Sequence, residues 1–475
     1  MQPWMSQGLW AQAPSPAPSA PAVRALLISD IHFDPFLDPG KVERLKAAPA
    51  AEWRAILAAP ESADRAAQLE ALHQACPTRG EDTSNTLFQS SLRAIHANAG
   101  GAKFVLVSGD LMAHNFACKF DEIVPNAKPG EYGVFVEKTI EYVMHELRAA
   151  VPGVPVYAAL GNNDTDCDDY RLDANSPFLA DAGKVLTADV PAPERAAALK
   201  SFAVGGYYSV DLPAPMHRAR LLVLDDLFES KRYASCGGKV ETAPAEEQIA
   251  WLKAQLDEVR LKKVRVWVMA HIPPGIDPYA TARKMANVCG GAEPQMFLSS
   301  EALPETLAHY GDVLKLAVFG HTHMDELRLL EPKDGEGMAE RGIAVKLVGS
   351  ISPINGNAPS FTVASIDATT AVLKDYHVIV ASNASGPNAS SGTKWAEEYD
   401  WAKTYKQSAF NAIGVRDEIA GFGADSMAKD AASQSYLRYY GSGLDTRALS
   451  LFWKPYICAL GFDAIDAYKK CVCGQ

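Results

Sequence analysis

The sequence predicts an α/β fold in which a sheet carries helices on its faces. Short apolar runs rich in Val and Leu end in turn residues, and segments with apolar residues at helical spacing lie between them. Strands are expected at residues 25–29, 104–108, 154–160, 220–224, 264–270 and 314–319. Helices are expected at residues 84–99, 134–150 and 245–258. Alternation of this kind is typical of a sheet covered by helices.

Beyond residue 325 the pattern changes to strands that follow one another directly, at residues 326–330, 344–347, 360–366 and 371–380. Residues 381–392 are rich in Ser, Asn, Gly and Ala and are expected to form a linker or exposed loop. Asn383 and Asn388 match the glycosylation acceptor pattern there, although a solvated loop is the simpler explanation. Residues 393–475 have helical character, and we assign their aromatic side chains to core packing.

The composition excludes several classes of protein. The chain has 475 residues, with 45 Lys and Arg against 57 Asp and Glu, which gives a net charge of −12. An acidic chain argues against non-specific nucleic-acid binding, which needs a basic surface. It is compatible with a phosphorylated substrate, because bound metal ions can reverse the field inside one cleft. No apolar run approaches the roughly 18 residues that a transmembrane helix requires.

The eight cysteines lack the spacing of a zinc finger. Their even number is compatible with up to four disulfides in an oxidising compartment, and also with buried free thiols. Residues 10–13 resemble the end of a secretory signal, whereas residues 1–9 contain no Lys or Arg and no clear apolar core. We interpret residues 1–22 as a flexible leader or signal remnant and expect a secreted or periplasmic protein.

Metal-binding residue types follow five of the expected strands directly. Because the carboxyl ends of strands in an open α/β sheet meet at one crevice, we expect these side chains to lie close together. Each motif alone is common in turns, and their joint occurrence in one order is what favours a site. Alternate positions in an extended segment would also place the last two histidines on one side. The residues are Asp30, His32, Asp110, His114, Asn162, Asn163, His271, His321 and His323.

Asp225 and Asp226 also follow an expected strand, but nothing else in that part of the sequence indicates a site.

The residue types predict a centre with two metal ions. Carboxylate, amide oxygen and imidazole suit zinc, manganese or iron(II). The ligands are too many for one ion, and a carboxylate such as Asp110 can bridge two ions about 3.5–4 Å apart. Two ions lower the pKa of a bridging water, and the resulting hydroxide can attack phosphorus without a Ser or Cys nucleophile.

Together these motifs resemble the calcineurin-like metallophosphoesterases over residues 26–330. Three features are similar to the acid sphingomyelinase-like phosphodiesterases within that superfamily: His114 four residues after Asp110, the turn at residues 271–275, and the segment at residues 350–359. The resemblance implies a layered β-sheet sandwich flanked by helices, with a catalytic domain at residues 23–380 and a helical C-terminal subdomain at residues 393–475.

The resemblance also implies two sets of ligands and two zinc ions, with manganese or iron as alternatives. One ion would be bound by Asp30, His32, Asp110 and His323. The other would be bound by Asp110, Asn162, His271 and His321.

One position departs from the family pattern and bears on proton transfer. The family has a histidine that helps to protonate the leaving oxygen, and Asn163 takes its place here. Because an amide cannot act as a general acid, the resemblance leaves His114 as the natural proton donor, unless His114 only orients a metal ligand. The asparagine also resembles the endopolyphosphatase branch, which cleaves phosphoanhydrides.

Three functions are therefore considered. The first is a phosphodiesterase acting on phospholipid head groups or small phosphodiesters, for which peripheral contact with a membrane is conceivable. The second is a phosphoanhydride or phosphomonoester hydrolase acting on nucleotides or polyphosphate. The third is a catalytically silent binding protein with the same fold, which would not need to retain every ligand.

Overall fold

The computed structural model describes residues 22–332, 342–382 and 393–474. Residues 1–21 of the expected leader lie outside the described residues. Residues 383–392 of the expected linker, with Asn383 and Asn388, lie outside them as well.

The strands of the described residues are numbered in chain order. They are β1 (Ala22–Ile28), β2 (Ala102–Val107), β3 (Val156–Ala158), β4 (Tyr208–Asp211), β5 (Ala219–Val223), β6 (Arg265–Met269), β7 (Leu314–Phe319), β8 (Glu326–Leu330), β9 (Ile343–Leu347), β10 (Ser360–Asp367), β11 (Leu373–Ala381) and β12 (Trp395–Asp400).

The α-helices are numbered in the same way. They are α1 (Val42–Ala47), α2 (Trp53–Ala58), α3 (Arg65–Ala75), α4 (Asn85–Asn98), α5 (Phe116–Ile123), α6 (Glu131–Ala150), α7 (Pro177–Leu186), α8 (Ala192–Gly205), α9 (Ala243–Leu261), α10 (Pro278–Arg283), α11 (Ala302–His309), α12 (Trp401–Tyr405), α13 (Ala412–Ala424), α14 (Ala431–Tyr439), α15 (Arg447–Leu451), α16 (Trp453–Gly461) and α17 (Ile465–Cys473). Short 3₁₀ helices occur at Pro39–Lys41, Ala50–Glu52, Asp226–Glu229 and Val288–Gly290.

The strands form two six-stranded mixed sheets. The first has the order β12-β11-β10-β1-β2-β3, and the second has the order β4-β5-β6-β7-β9-β8. Strands β1, β2 and β3 are parallel in the first sheet. Strands β5, β6, β7 and β9 are parallel in the second. Each sheet therefore presents several carboxyl ends of parallel strands at one edge.

The two sheets pack against each other through their apolar faces. The rings of Phe104 on β2 and Trp267 on β6 meet edge to face, 6.1 Å apart. The indole of Trp267 donates a hydrogen bond to the carbonyl of Ala371 in the turn before β11. Tyr208 on β4 accepts a hydrogen bond from the backbone of Ala158 on β3. These contacts make a sandwich, and the predicted α/β fold with layered sheets and flanking helices is confirmed.

The beginning of the C-terminal region differs from its expected helical character. Residues 395–400 form β12, which pairs antiparallel with β11 at the edge of the first sheet. Their local sequence, with two consecutive glutamates, favours a helix, and pairing with a strand overrides that preference. Trp395 donates to Ser90 on α4, and Tyr399 donates to Asp325 beyond β7, so tertiary contacts hold the strand in place. From Trp401 onward the region is helical as predicted.

All eight cysteines are paired. The disulfides are Cys76–Cys118, Cys167–Cys236, Cys289–Cys473 and Cys458–Cys471. The sequence left free thiols open as an alternative, and the structure shows disulfides instead. Within the ranges that the structure describes, no helix has the length and apolar character needed to cross a bilayer.

Candidate metal centre

The seven residues expected to bind metal come from both sheets and meet at the edge where the parallel strands end. They lie in the segments that directly follow β1, β2, β3, β6 and β7. In chain order they are Asp30, His32, Asp110, Asn162, His271, His321 and His323.

Two groups of potential ligands share Asp110. One contains Asp30, His32 and Asp110, and the other contains Asp110, His271 and His321. The ligand atoms within each group lie within 4.8 Å of one another. Asp110 therefore belongs to both groups, and two ions held by them would share its carboxylate.

The group around Asp30 brings atoms that carry lone pairs close together. His32 Nδ1 is 2.8 Å from the carbonyl of Met112 and must donate to it, which leaves His32 Nε2 without a proton in the neutral ring. His32 Nε2 lies 3.7 Å from Asp30 Oδ1, 3.4 Å from Asp110 Oδ2 and 3.1 Å from His323 Nε2. His323 Nε2 is itself 3.5 Å from Asp30 Oδ1.

The second group has the same character. His271 Nδ1 donates to the carbonyl of Ser108 at 2.7 Å, which directs Nε2 toward Asp110 Oδ2 at 3.1 Å. His271 Nε2 is buried and has no hydrogen-bond partner. Asn162 Oδ1 lies 2.9 Å from His321 Nδ1. In both groups a carbonyl oxygen fixes the tautomer of a histidine, as is common for histidines that bind metals.

Carboxylate oxygens and imidazole nitrogens that converge in this way can offer their lone pairs to a cation. The donor set of carboxylate, amide oxygen and imidazole fits zinc, manganese or iron(II), and no thiolate takes part because every cysteine is in a disulfide. The residues present therefore fit two divalent ions.

The charges of the site point in the same direction. Burial alone lowers the pKa of His32 and His271, but the carboxylates of Asp110 and Asp30 raise it to about 9 and about 10. Burial lowers the pKa of His321 to about 3, so this ring is neutral, the form that binds metals. The carboxylates thus attract positive charge to their centre, and divalent ions would supply it in place of the two imidazole protons.

The backbone at the site is strained. Five of the seven residues have positive φ angles, between 44° and 72°, in the left-handed region that residues other than glycine seldom adopt. Strain of this kind persists only where surrounding structure imposes it, and it concentrates at functional sites. The five residues are Asp30, His32, Asp110, His321 and His323.

Two glycines allow the strand ends to approach one another. Gly109 has a φ of 90°, and a Cβ there would lie 2.8 Å from Gly161 N and 2.9 Å from His271 Nδ1. A Cβ on Gly161 would overlap the carboxylate of Asp110. Glycine directly before Asp110 and directly before Asn162 is therefore required by the close approach of these segments.

His321 and His323 follow β7, which ends at Phe319, and so they are not on a strand as the sequence suggested. Both residues have left-handed backbones, and their rings face different partners. His321 lies against Asn162, and His323 lies against His32. The expectation that alternate positions of an extended segment place both histidines on one side is therefore wrong, because each ring is directed by its own left-handed backbone.

Two buried carboxylates support the ligand segments. Asp164 accepts hydrogen bonds from the backbone N–H groups of Leu111, Met112 and Gly161, at 2.8 to 3.0 Å. Burial, with Asp110 nearby, raises the pKa of Asp164 to about 7. The carboxylate thereby joins the turn after β3 to the segment that carries Asp110.

Asp226, which the sequence did not connect with a site, has the corresponding role in the second sheet. It accepts hydrogen bonds from the backbone N–H groups of His271 and Ile272, at 3.0 to 3.2 Å. Asp226 lies three residues beyond the end of β5, but its partner His271 follows β6 and is 45 residues away in the sequence.

His114 lies at the edge of the metal site and is oriented by an aspartate that sequence reasoning missed. Its ring stacks on that of His32, with the centroids 4.0 Å apart. His114 Nδ1 lies 3.1 and 3.2 Å from the carboxylate oxygens of Asp82, which also accept from its backbone N–H and from Ser352 Oγ. His114 lines the cleft, and one of its ring nitrogens lies within 4.8 Å of nitrogens of His32 and His323. Ser352 belongs to the segment at residues 350–359.

Asn163 takes part in the site through hydrogen bonds to Asp110. Its backbone N–H donates to Asp110 Oδ1 at 2.9 Å, and its side-chain Nδ2 donates to Asp110 Oδ2 at 2.8 Å. The neighbouring Asn162 donates from Nδ2 to Asp169 at 2.7 Å, which turns its oxygen toward His321. Asn163 therefore holds the carboxylate of Asp110.

The site opens into a cleft of about 640 Å³. Metal-site residues form its floor, with His114 and Asn163 among the lining residues. Its wall also carries five cationic residues in a chain whose net charge is −12. These are Arg79, Lys231, Arg232, Arg283 and Lys284.

The chain is similar to several known proteins. Residues 23–325 match the family described as Calcineurin-like phosphoesterase. Acid sphingomyelinase-like phosphodiesterase 3b of Homo sapiens is 26% identical over 432 residues, which cover 84% of this chain and 85% of the relative. Cyclic GMP-AMP phosphodiesterase SMPDL3A of Mus musculus is 23% identical, covering 76% of this chain and 73% of the relative. Endopolyphosphatase of Schizosaccharomyces pombe is 24% identical, and the match covers 53% of this chain and 40% of the relative.

Proposed function

Because the chain belongs to the calcineurin-like phosphoesterase family, and is thus a phosphoric ester hydrolase, we propose that it is a two-metal phosphodiesterase. The proposed substrates are phospholipid head groups or small phosphodiesters. The observation that carries the proposal is the convergence of His271 Nε2 and His32 Nε2 on Asp110 Oδ2, at 3.1 and 3.4 Å.

The proposed ligands of one ion are Asp30, His32, Asp110 and His323. Those of the other are Asp110, Asn162, His271 and His321. Divalent ions in these positions supply Lewis acidity at the phosphoryl group and activate water. The donor set supports zinc, with manganese and iron as alternatives, and elemental analysis of the purified protein distinguishes them.

The chain's own residues then have three tasks. Asn163 holds the carboxylate of Asp110 by two hydrogen bonds, and Asp226 holds the backbone of His271. The five cationic side chains along the cleft attract the negative charge of the substrate. His114, with Nδ1 bound to Asp82, is the proposed proton donor to the leaving oxygen through Nε2.

A second function, hydrolysis of phosphoanhydrides in nucleotides or polyphosphate, is favoured by one observation. Five cationic residues line the cleft, whereas a phosphodiester carries only one negative charge. A substrate with several phosphates would use more of them. A phosphate leaving group also needs little protonation, since its second pKa is near about 6, and this would accommodate an asparagine at position 163.

Hydrolysis by metal-reconstituted protein tests the proposal. The panel is bis-p-nitrophenyl phosphate, p-nitrophenyl phosphate, sphingomyelin, ATP and polyphosphate, each with and without chelator. Chelator-sensitive turnover of the diesters supports the phosphodiesterase, and turnover of the anhydrides alone supports the second function. Metal binding without turnover of any compound would support the silent binding protein.

We further propose that the protein is exported, to the outside of the cell or to the periplasm. Four disulfides among the described residues support this, because such bonds persist in oxidising compartments. Fractionation of the native host, with the protein detected by antibody, tests this proposal.

A further inference from the structure

A second cavity, of about 710 Å³, adjoins the cleft that holds the metal site. We call it the side cavity. The two share part of one wall, including His321, Phe297 and Ile354. His321, a proposed metal ligand, therefore borders both spaces. A molecule whose phosphate lies at the metal site can extend directly into the side cavity.

The lining of the side cavity is largely apolar and comes from both regions of the chain. Helix α10 contributes Tyr279, and the segment after β7 contributes Met324. The C-terminal helical region contributes Tyr440, Leu449 and Phe452. Apolar walls that open into a polar cleft are the usual form of a site that binds a substrate with two chemical parts.

Charged residues between the side cavity and the metal cleft limit which kind of chemical group the side cavity can bind. Arg79 and Arg283 line both spaces, and neither guanidinium has a hydrogen bond or ion pair with another side chain in the part of the chain that the structure describes, although Arg283 interacts electrostatically with Asp277. Two guanidinium groups disfavour a quaternary ammonium such as choline, and they attract phosphoryl oxygens. Two carboxylates also line the side cavity: Asp277 accepts a hydrogen bond from the backbone N–H of Ala280 and interacts electrostatically with Arg283, and Asp445 pairs with Arg447.

We propose that the side cavity binds an uncharged apolar group, alkyl or aromatic, attached to the phosphate that reacts at the metal site. The inference rests on the proposed function and adds the chemical class of the substrate: a phosphoester with an apolar substituent. Arg79 and Arg283 bind the phosphoryl oxygens at the boundary. The C-terminal helices are then part of the substrate-binding site.

Phosphonates that cannot be hydrolysed provide the test. Methyl-, butyl-, hexyl- and phenylphosphonate are assayed as competitive inhibitors of bis-p-nitrophenyl phosphate hydrolysis by the metal-loaded protein. Each methylene that enters the cavity should lower the inhibition constant about four-fold. A decrease along the alkyl series, or for the phenyl compound, supports the proposal and identifies the favoured type of group. Constants that agree within two-fold across all four compounds would overturn it.

A pair of variants on α15 locates the effect. Ala448 is exposed and lines the side cavity, so Ala448→Trp should fill the space without disturbing the core. Leu451 is on the same helix, is 89% exposed and lies outside the lining, which makes Leu451→Trp a matched control. The dependence on chain length should disappear in the first variant and persist in the second. Persistence in Ala448→Trp, or loss in both variants, would contradict the assignment.

Binding of the same phosphonates, measured by isothermal titration calorimetry, separates this inference from the proposed function. If bis-p-nitrophenyl phosphate is not hydrolysed while hexylphosphonate still binds more tightly than methylphosphonate, the proposed function fails and the cavity assignment stands. If the diester is hydrolysed and affinity does not change with chain length, the cavity assignment alone fails.

Discussion

Asp110 receives two hydrogen bonds from Asn163 and lies against two imidazoles, so we expect the loss of its charge to have the largest single effect. Asp110→Asn keeps the shape of the side chain but should prevent assembly of both ions. Hydrolysis should fall to less than a tenth of the wild-type rate, a cost above roughly 1.4 kcal/mol in the transition state. Asp181→Asn on α7, where the side chain is 46% exposed, is the control. Full activity with two ions per chain would refute the bridging role.

His114 is tested by comparing leaving groups. A general acid contributes roughly 10²–10⁴-fold, and most where the leaving oxygen is basic. His114→Ala should therefore slow hydrolysis of alkyl esters strongly and of p-nitrophenyl esters much less, whereas the exposed His309→Ala should slow neither. Asp82→Asn should shift the same comparison in the same direction, because Asp82 fixes the tautomer of His114. An equal loss for both ester classes would instead assign His114 to positioning.

The contacts of Asn163 also limit what a histidine at that position can do. The side-chain Nδ2 donates to Asp110 Oδ2, so a histidine facing the cleft would give up that hydrogen bond, while the backbone N–H could still donate to Asp110 Oδ1. Asn163→His is therefore expected to restore proton donation only if the ring turns away from Asp110 toward the cleft.

At the scale of elements, β12 carries a glutamate whose ionisation should be visible in stability. Burial raises the pKa of Glu398 to about 7 from its ordinary 4.5, with Asp325 adding to the increase and Ser442 and Arg438 opposing it. Because the folded state holds this proton more tightly than the unfolded state, Glu398 lowers the free energy of unfolding as pH rises from about 4.5 to about 7.

Glu398→Gln should therefore stabilise the protein more at pH 8 than at pH 5, as measured by urea denaturation. The neighbouring Glu397→Gln is the control, since that side chain is 58% exposed. A difference between Glu398→Gln and wild type that does not change with pH would show that the carboxyl group ionises freely in the folded protein.

At the scale of the whole molecule, the proposed ions connect the two sheets. Asp30, His32, Asp110 and Asn162 follow strands of the first sheet, and the three remaining histidines follow strands of the second. Ligands that bind only the folded state stabilise it, by about 2.7 kcal/mol at a free concentration one hundred times Kd.

Chelation should consequently lower the thermal unfolding midpoint by several degrees, and zinc or manganese should restore it. The midpoint of Asp110→Asn should respond much less to either treatment. A wild-type midpoint that is the same with and without chelator would contradict metal binding across the sheets.

Local patterns in the sequence were sufficient for much of this architecture. The run expected at residues 314–319 coincides with β7, and the helix expected at residues 84–99 differs from α4 by one residue at each end. Contacts between distant segments were not accessible in this way. Asp82 reaches His114 across 32 residues, and β12 became a strand because β11 was available to pair with it. Disulfide pairing is subject to the same restriction, because it depends on which segments meet in the folded chain.

The left-handed backbone of five proposed ligands has a consequence for how the site should be mutated. Asp, Asn and His tolerate that conformation better than most residues, so the types that bind metal are also those that the main chain accepts. Alanine at Asp30 or His32 would remove a ligand and also add backbone strain, and a scan with alanine would combine two free energies in one number. Asparagine at Asp30 removes the charge and keeps the tolerance, whereas glycine removes the ligand and relieves the strain. The difference in the free energy of unfolding between Asp30→Asn and Asp30→Gly, measured without metal, gives the cost of the left-handed backbone at this ligand position.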